Sequence, residues 1–459
     1  TLRCVGVMTH IAILQSSHIT IKNVKLENPQ THIMQGKTIA HGEGYVDIEA
    51  THGADRFVVR NQELILPAKD FTLSPIYWNV HFDGQTGEIG EGSTDNGLGV
   101  EPQTLRCEKL SDKIFRFYGV TRYPKIGDVI VFNAAKRLGS GIFCENSSNL
   151  YFENVTVYSC FGMGLLAQMC DTVTLEHFST KRKDGQLYTA NADATHFVHC
   201  VGQIKIQNSV FEGQLDDALN IHGMYTCVLQ KKDCELFVRE VHEQSRGIRI
   251  YKKNDRIQIL RSDSLIPYTE KTIQEVEYIN EDLIRLLLKE STADIALGDV
   301  VENITQSADL IFRHNTVRNN RARGMLLATR GKILVEDCHF HTSSSAIVFE
   351  SNGVYWYESG ATLDVVIRSN CFERCKYAYP RRRGIIACLP RQAVEKEKYF
   401  HKSIKVLNNK FFIDEDNTII FDNVEHIEFI ENESDSPMQV ILHQVSDFNV
   451  QSDVQLVCE

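Results

Sequence analysis

Asp193 and Asp217 each stand directly before a small residue and a mainly apolar run, Ala194-Thr195-His196-Phe197 and Ala218-Leu219-Asn220-Ile221, and they lie 24 positions apart. The same pattern recurs at Met163-Gly164-Leu165-Leu166, Arg323-Gly324-Met325-Leu326 and Ser345-Ala346-Ile347-Val348, and Asp216 adjoins Asp217. If the chain repeats at that spacing, these positions stack into a column, and three carboxylates gather within about 5–8 Å, where they repel one another. Such a cluster survives if it holds a cation, shares protons or performs acid–base chemistry. Glycosidic bond cleavage suits it: one protonated carboxyl gives its proton to the leaving oxygen while another activates water or attacks. The stretches Asn191-Ala192-Asp193-Ala194-Thr195-His196-Phe197 and Asp216-Asp217-Ala218-Leu219-Asn220-Ile221-His222-Gly223 mix acids with amides and imidazoles, as a sugar-binding cleft does. The plainer readings are a ladder of exposed aspartates in turns and a hard-cation cage for calcium.

The elements that would position these residues follow from repetition. Leu150-Tyr151-Phe152 is answered by Val173-Thr174-Leu175, Leu310-Ile311-Phe312 by Ile333-Leu334-Val335, and Ile404-Lys405-Val406 by Ile427-Glu428-Phe429, each pair 23 apart. Ile19-Thr20-Ile21, Ile204-Lys205-Ile206 and Val365-Val366-Ile367 are further copies. Each is a short alternating strand followed by a bend at a polar residue, often Asn (Asn23, Asn154, Asn208, Asn370, Asn409 and Asn432), which tolerates unusual backbone angles. A period in the low twenties built from strands without a helical phase predicts an all-β chain, a right-handed parallel β-helix whose coils stack about 4.8 Å apart.

Two stretches interrupt the period, and each ends in Gly-Asp-Val, at Gly127-Asp128-Val129 and Gly298-Asp299-Val300. They read as inserted β-barrel-like domains closing on a Gly-Asp turn. The predicted organisation is a β-helix coil over 1–27, a barrel-like insert over 28–132, coils carrying the acidic site over 133–222, a second insert over 223–304 and C-terminal coils over 305–459. The coil with Asp193 has a period of 31, with eight extra residues around Lys181–Tyr188 expected to form a lip over the acids. A coil starts within the first thirty residues with nothing before it to cover its edge, which predicts missing N-terminal coils.

The 459 residues carry 49 basic and 60 acidic side chains, a net charge of −11 that disfavours a sequence-independent nucleic-acid binder. No apolar run approaches the 18 or so residues of a membrane-spanning helix. Thirteen scattered cysteines make neither a disulfide framework nor a zinc motif and read as small buried residues. His196, His199, His222, His339 and His341 lack the spacing of a closed zinc site. Asn220 and His222 are placed as hydroxyl partners. Arg321 and Arg323 read either as a solvated basic turn or as a hydroxyl-binding fork that keeps a neighbouring Asp ionised. Trp356, between Tyr355 and Tyr357, sits in a loop bounded by Gly353 and Gly360, where aromatics stack on sugar faces and Glu358 binds hydroxyls or serves as the acid.

The combination Ala192-Asp193-Ala194-Thr195-His196-Phe197, Asp216-Asp217-Ala218-Leu219-Asn220-Ile221-His222-Gly223, Asn319-Asn320-Arg321-Ala322-Arg323-Gly324 and Trp356-Tyr357-Glu358-Ser359-Gly360 resembles glycoside hydrolase family 110. The resemblance implies a β-helix with barrel inserts and an exo-acting, inverting, metal-independent α-galactosidase without a cofactor. Its substrates would be terminal α-1,3-galactosyl oligosaccharides or glycoconjugates, branched as in the blood-group B structure or linear, with no nucleic-acid or membrane partner. It also implies a secreted or periplasmic bacterial protein. Asp193, Asp216 and Asp217 match the catalytic acidic cluster, with Asp193 as acid and Asp216 or Asp217 positioning the water. Two rivals stand beside it. A polysaccharide lyase on the same scaffold would use Arg323 as base, although the acidic charge disfavours an anionic substrate. A glycan-binding protein would use the aromatics to hold sugar without turnover.

Overall fold

A computed structural model describes residues 1–459 apart from 31, 68–71, 74–75, 94, 379–383, 391–397, 415–416 and 459. Short strands dominate it; helical structure among the described residues is confined to three single 3-10 turns at Ala54–Arg56, Pro102–Thr104 and Glu243–Ser245. The residues 23 apart in the sequence are direct parallel partners: Leu150 with Val173, Leu310 with Ile333, and Ile404 with Ile427. The chain is a parallel β-helix, three strands to a full coil, whose inward side chains form one continuous core. Phenylalanines stack up one inner edge, with Phe340 on Phe372 at 5.2 Å and Phe372 on Phe411 at 4.8 Å between ring centroids, both pairs within 10° of parallel. Such face-offset contacts add to the area they bury.

The polar bends fall into two adjacent columns. Asn154, Asn208 and Asn408 turn the chain with φ near +53°, a backbone region that Asn enters more readily than most residues. Asn370, Asn409 and Asn432 lie one position further on, buried. There the backbone N–H of Asn370 donates to Asn409 Oδ1 at 2.9 Å, and that of Asn409 donates to Asn432 Oδ1 at 3.0 Å. This ladder satisfies backbone donors that the turn removes from the strand pairing.

Both interruptions of the period are antiparallel. The first is a six-stranded sheet in the order Arg106–Lys109, Ile114–Tyr118, Tyr45–His52, Ile33–Gly42, Val129–Asn133, Trp78–Phe82, with its own core around Phe115, Phe117 and Phe132. The second grows out of a coil without a break, because Leu219–Lys232 begins as a β-helix strand and ends as a barrel strand. It closes on itself through Glu235–Arg239, Leu283–Leu288, Pro267–Tyr278, Arg256–Leu260 and Val300–Asn303. Gly127 and Gly298 take φ of 95° and 83° at the turns before the last strands, where a side chain would be strained. The first insert leaves the β-helix at the corner where a coil closes, and the second leaves after the next strand. They therefore stand on either side of one corner column.

Candidate active site

That corner holds the acidic column. The backbone N–H of Gly164 donates to the carbonyl of Asp193 at 2.9 Å, that of Ala194 to Asp217 at 2.8 Å, and that of Gly324 to Ser345 at 2.9 Å. Strand pairing continues the alignment, Leu165 with Thr195, Thr195 with Leu219 and Leu219 with Met325. The following residue must be small because the coils touch there: a side chain at Gly324 would meet the Ala346 carbonyl oxygen at 2.4 Å. Asp193, Asp217 and Arg323 are thus stacked on successive coils, with Asp216 beside them.

All three aspartates are buried, and each presents a carboxylate oxygen within 4.8 Å of the others. Guanidinium groups supply the compensating charge. Asp216 Oδ2 is 2.5 Å from Arg137 Nη2, and its Oδ1 is 3.0 Å from Arg321 Nη2. Burial pushes the Asp216 carboxyl up, but Arg321, Arg137 and Arg323 more than offset this and hold it below the usual carboxylate range. Arg323 donates from Nε and Nη2 to Asp217 at 2.7–3.0 Å, and its backbone N–H adds a bond of 2.8 Å to Oδ1. Burial pushes the Asp217 carboxyl up to about 7 against the pull of Arg323, with Asp216 and Asp193 adding to the rise. The donors converging on both of its oxygens favour the carboxylate.

Asp193 differs. Among the described residues no guanidinium bonds to it. Its Oδ2 lies 2.6 Å from His196 Nδ1, and its Oδ1 accepts the backbone N–H of Asp217 at 3.1 Å. His196 Nε2 is 2.9 Å from His222 Nε2, which is 3.6 Å from Glu358 Oε1. Glu358 begins a short strand paired antiparallel to Gly223–Met224, so the loop before it folds back over the site. Asn352 Oδ1 accepts the N–H groups of Val354, Tyr355 and Trp356 and fixes that loop. Burial pushes the Glu358 carboxyl up, but His222, His196, Arg323 and Arg137 more than offset it and hold it below the usual range.

These groups line a cleft of about 560 Å³ walled by Tyr77, Trp78 and Asp95 of the first insert, Glu243 and Gln244 of the second, and the Trp356 loop. Eight predicted site residues, Asp193, Asp216, Asp217, Asn220, Arg321, Arg323, Trp356 and Glu358, lie on it. His222 does not; it opens with His196 on an adjoining chamber of about 340 Å³ that shares Arg137, Trp356 and Glu358 with the cleft. Arg137 was missed because it leaves the first insert and has no counterpart in the column. Tyr77, Trp78 and Asp95 were missed because only the docking of the insert brings them here.

One expectation needs correction. The extra residues at Lys181–Tyr188 are no lip over the acids. Arg182 donates to the Gly87 carbonyl, Leu187 N–H donates to Gln35, and Tyr188 is buried among first-insert side chains, so the segment docks that insert. The resemblance pairs Asp193 with Asp216 or Asp217 across a water; inversion works with carboxyl groups roughly 6.5–9.5 Å apart, and the trio brings one oxygen of each carboxylate within 4.8 Å of the others. Glu358 is joined to Asp193 through two imidazoles in series.

Family models for GLAA-B beta-barrel domain I and GLAA-B beta-barrel domain II match residues 34–130 and 235–301. An alpha-1,3-galactosidase A of Shewanella woodyi is 28% identical over 437 residues, 93% of this chain and 71% of that protein. An alpha-1,3-galactosidase B of Bacteroides fragilis is 30% identical over 426 residues, 86% of this chain and 69% of that protein. A family 28 exopolygalacturonase of Yersinia enterocolitica superposes with a TM-score of 0.34 at 12% identity, over 69% of this chain and 48% of that one, too loosely to bear on the site.

Proposed function

This chain belongs to the α-1,3-galactosidase family, glycoside hydrolase family 110, and we propose that it removes terminal α-1,3-linked galactose from glycans by inverting hydrolysis without a metal. Asp193 acts as general acid and Glu358 as general base. The observation that carries this reading is the different preparation of two carboxyls on one cleft. Two imidazoles and two guanidiniums hold Glu358 ionised, while Asp193 is bonded to an imidazole and hydrogen-bonded to no guanidinium among the described residues, Arg137 reaching it through charge alone. As Asp193 protonates the glycosidic oxygen and the bond to the anomeric carbon breaks, Glu358 takes a proton from the incoming water. Asp216 and Asp217, neutralised by Arg137, Arg321 and Arg323, present fixed charge to the sugar hydroxyls and to the cationic transition state. Because three guanidiniums already compensate the acids, the cluster has no electrostatic need of a cation.

Trp356 and Tyr355 at the mouth offer faces for sugar stacking. The cleft is closed in by both inserts and by the loop, which suits a chain end rather than the middle of a polymer. A second reading takes Asp217 as the acid, favoured by the rise of its carboxyl to about 7.

Release of galactose from Galα1-3Gal, from its α-1,4 and α-1,6 isomers and from the fucosylated blood-group B trisaccharide, all with EDTA present, tests the function. Only the α-1,3 compounds should be cleaved, and Asp193→Asn or Glu358→Gln should reduce the rate by about 10²-fold or more. Unsaturated products from uronate polymers would point instead to a lyase. Binding without turnover by the folded protein would point to a glycan-binding role.

A further inference from the structure

His196 and His222 are buried, in series between Asp193 and Glu358, and beyond holding Glu358 ionised they have no step in the reaction above. Their protons can be placed from one end of the chain. His222 Nδ1 lies 2.6 Å from the carbonyl oxygen of Gly223. A carbonyl only accepts, so Nδ1 carries a hydrogen and donates it. His222 Nε2 lies 2.9 Å from His196 Nε2 and 3.6 Å from Glu358 Oε1, so one hydrogen lies between the two imidazoles. His196 Nδ1 faces Asp193 Oδ2 at 2.6 Å, and two bare acceptors would repel at that distance. One proton therefore lies between them, on Asp193 or on His196.

We propose that His196 and His222, anchored on the Gly223 carbonyl, are positioning residues that hold one proton on the Asp193–His196 contact for delivery to the leaving oxygen. The proposal rests on Asp193 being the general acid. In the reaction this proton passes to the glycosidic oxygen, which keeps the electron pair of the breaking bond. Water forms the new bond to the anomeric carbon and gives a proton to Glu358. One proton lost at Asp193 and one gained at Glu358 then exchange with solvent. Besides Asp193, the titratable or charged groups facing the imidazoles are Glu358 on the folded-back loop, His199 on the same coil, and Arg137 and Arg323, which act on Glu358; Asp217 reaches Asp193 through its backbone N–H.

Two substrates separate proton delivery from everything else. Galα1-3Gal needs an acid for its alkoxide leaving group, whereas α-galactosyl fluoride does not. For His196→Asn and His222→Gln, whose amides hydrogen-bond in either direction but do not take up and release a proton, kcat/KM on the disaccharide should fall about 10²-fold or more while hydrolysis of the fluoride stays within about fivefold. Asp193→Asn should give the same split, and the alkaline limb of the disaccharide pH profile should move down by about one pH unit in His222→Gln. Equal losses on both substrates in natively folded His variants, or no loss on either, would overturn the proposal. If His196→Asn does not fold, His222→Gln decides alone. Should Asp193→Asn lose both substrates equally, the assignment of Asp193 as acid fails, and the relay falls with it; a split in Asp193→Asn without one in the His variants sinks the relay only.

Discussion

Asp216 and Asp217 are neighbours in the chain, yet each is buried against a different set of guanidiniums, and these pairs set the chemistry of the cleft. Removing one partner of a buried pair leaves an uncompensated charge in a dry site. Arg323→Met should therefore cost about 3–5 kcal/mol in urea unfolding, and much of that should be recovered in the double variant Asp217→Asn/Arg323→Met. Additive losses would mean that the fork contributes little. The stacking of Asp193, Asp217 and Arg323 was legible in the sequence because each precedes a small residue that the coil contact demands. Arg137 and the His196–His222 contact were not, since they depend on an insert and on side-chain directions that spacing does not encode.

At the level of the strands and corners, two polar columns do different work. Asn409 is fully buried, accepts from the N–H of Asn370 and donates to the carbonyls of Ile367 and Leu407. Asn409→Ala should cost about 1–3 kcal/mol, because it strands a buried donor and two acceptors. Asn408 has φ of 54°, so Asn408→Gly should leave stability within about 0.5 kcal/mol. Chemical denaturation of both variants checks this, and equal costs would contradict a division of labour. The sequence grouped these asparagines as one bend. The distinction was nonetheless written in their offset from the preceding strand: Asn154 and Asn208 come four residues after Leu150 and Ile204, and Asn409 and Asn432 come five after Ile404 and Ile427. Which column turns and which is buried emerges only once the coils stack.

Across the whole molecule, the β-helix positions the acids and the two inserts wall them in. The period of 23 made the parallel coils legible, since it reports the local strand pattern. How the inserts dock was not, and the extra segment at Lys181–Tyr188 was misplaced because its partners come from residues about 95 to 150 positions away. Burying so much also affects pH stability. Burial pushes His32 and His199 down to about 4 and His401 to about 3. Each stays neutral when folded but takes a proton near pH 6.5 when unfolded, so its contribution is complete above that pH and is lost as the pH falls towards 4. Stability should drop by about 1.4 kcal/mol per pH unit for each of them within that window, and His401→Gln should flatten the slope. A melting temperature unchanged between pH 7 and 5 would contradict this. The central claim, hydrolysis of a terminal α-1,3-galactoside between Asp193 and Glu358, is tested most directly by proton NMR of Galα1-3Gal during the first turnovers. Inversion predicts that β-galactose appears first and mutarotates later, with neither anomer formed by Glu358→Gln; α-galactose appearing first, or undiminished release by that variant, would contradict the account.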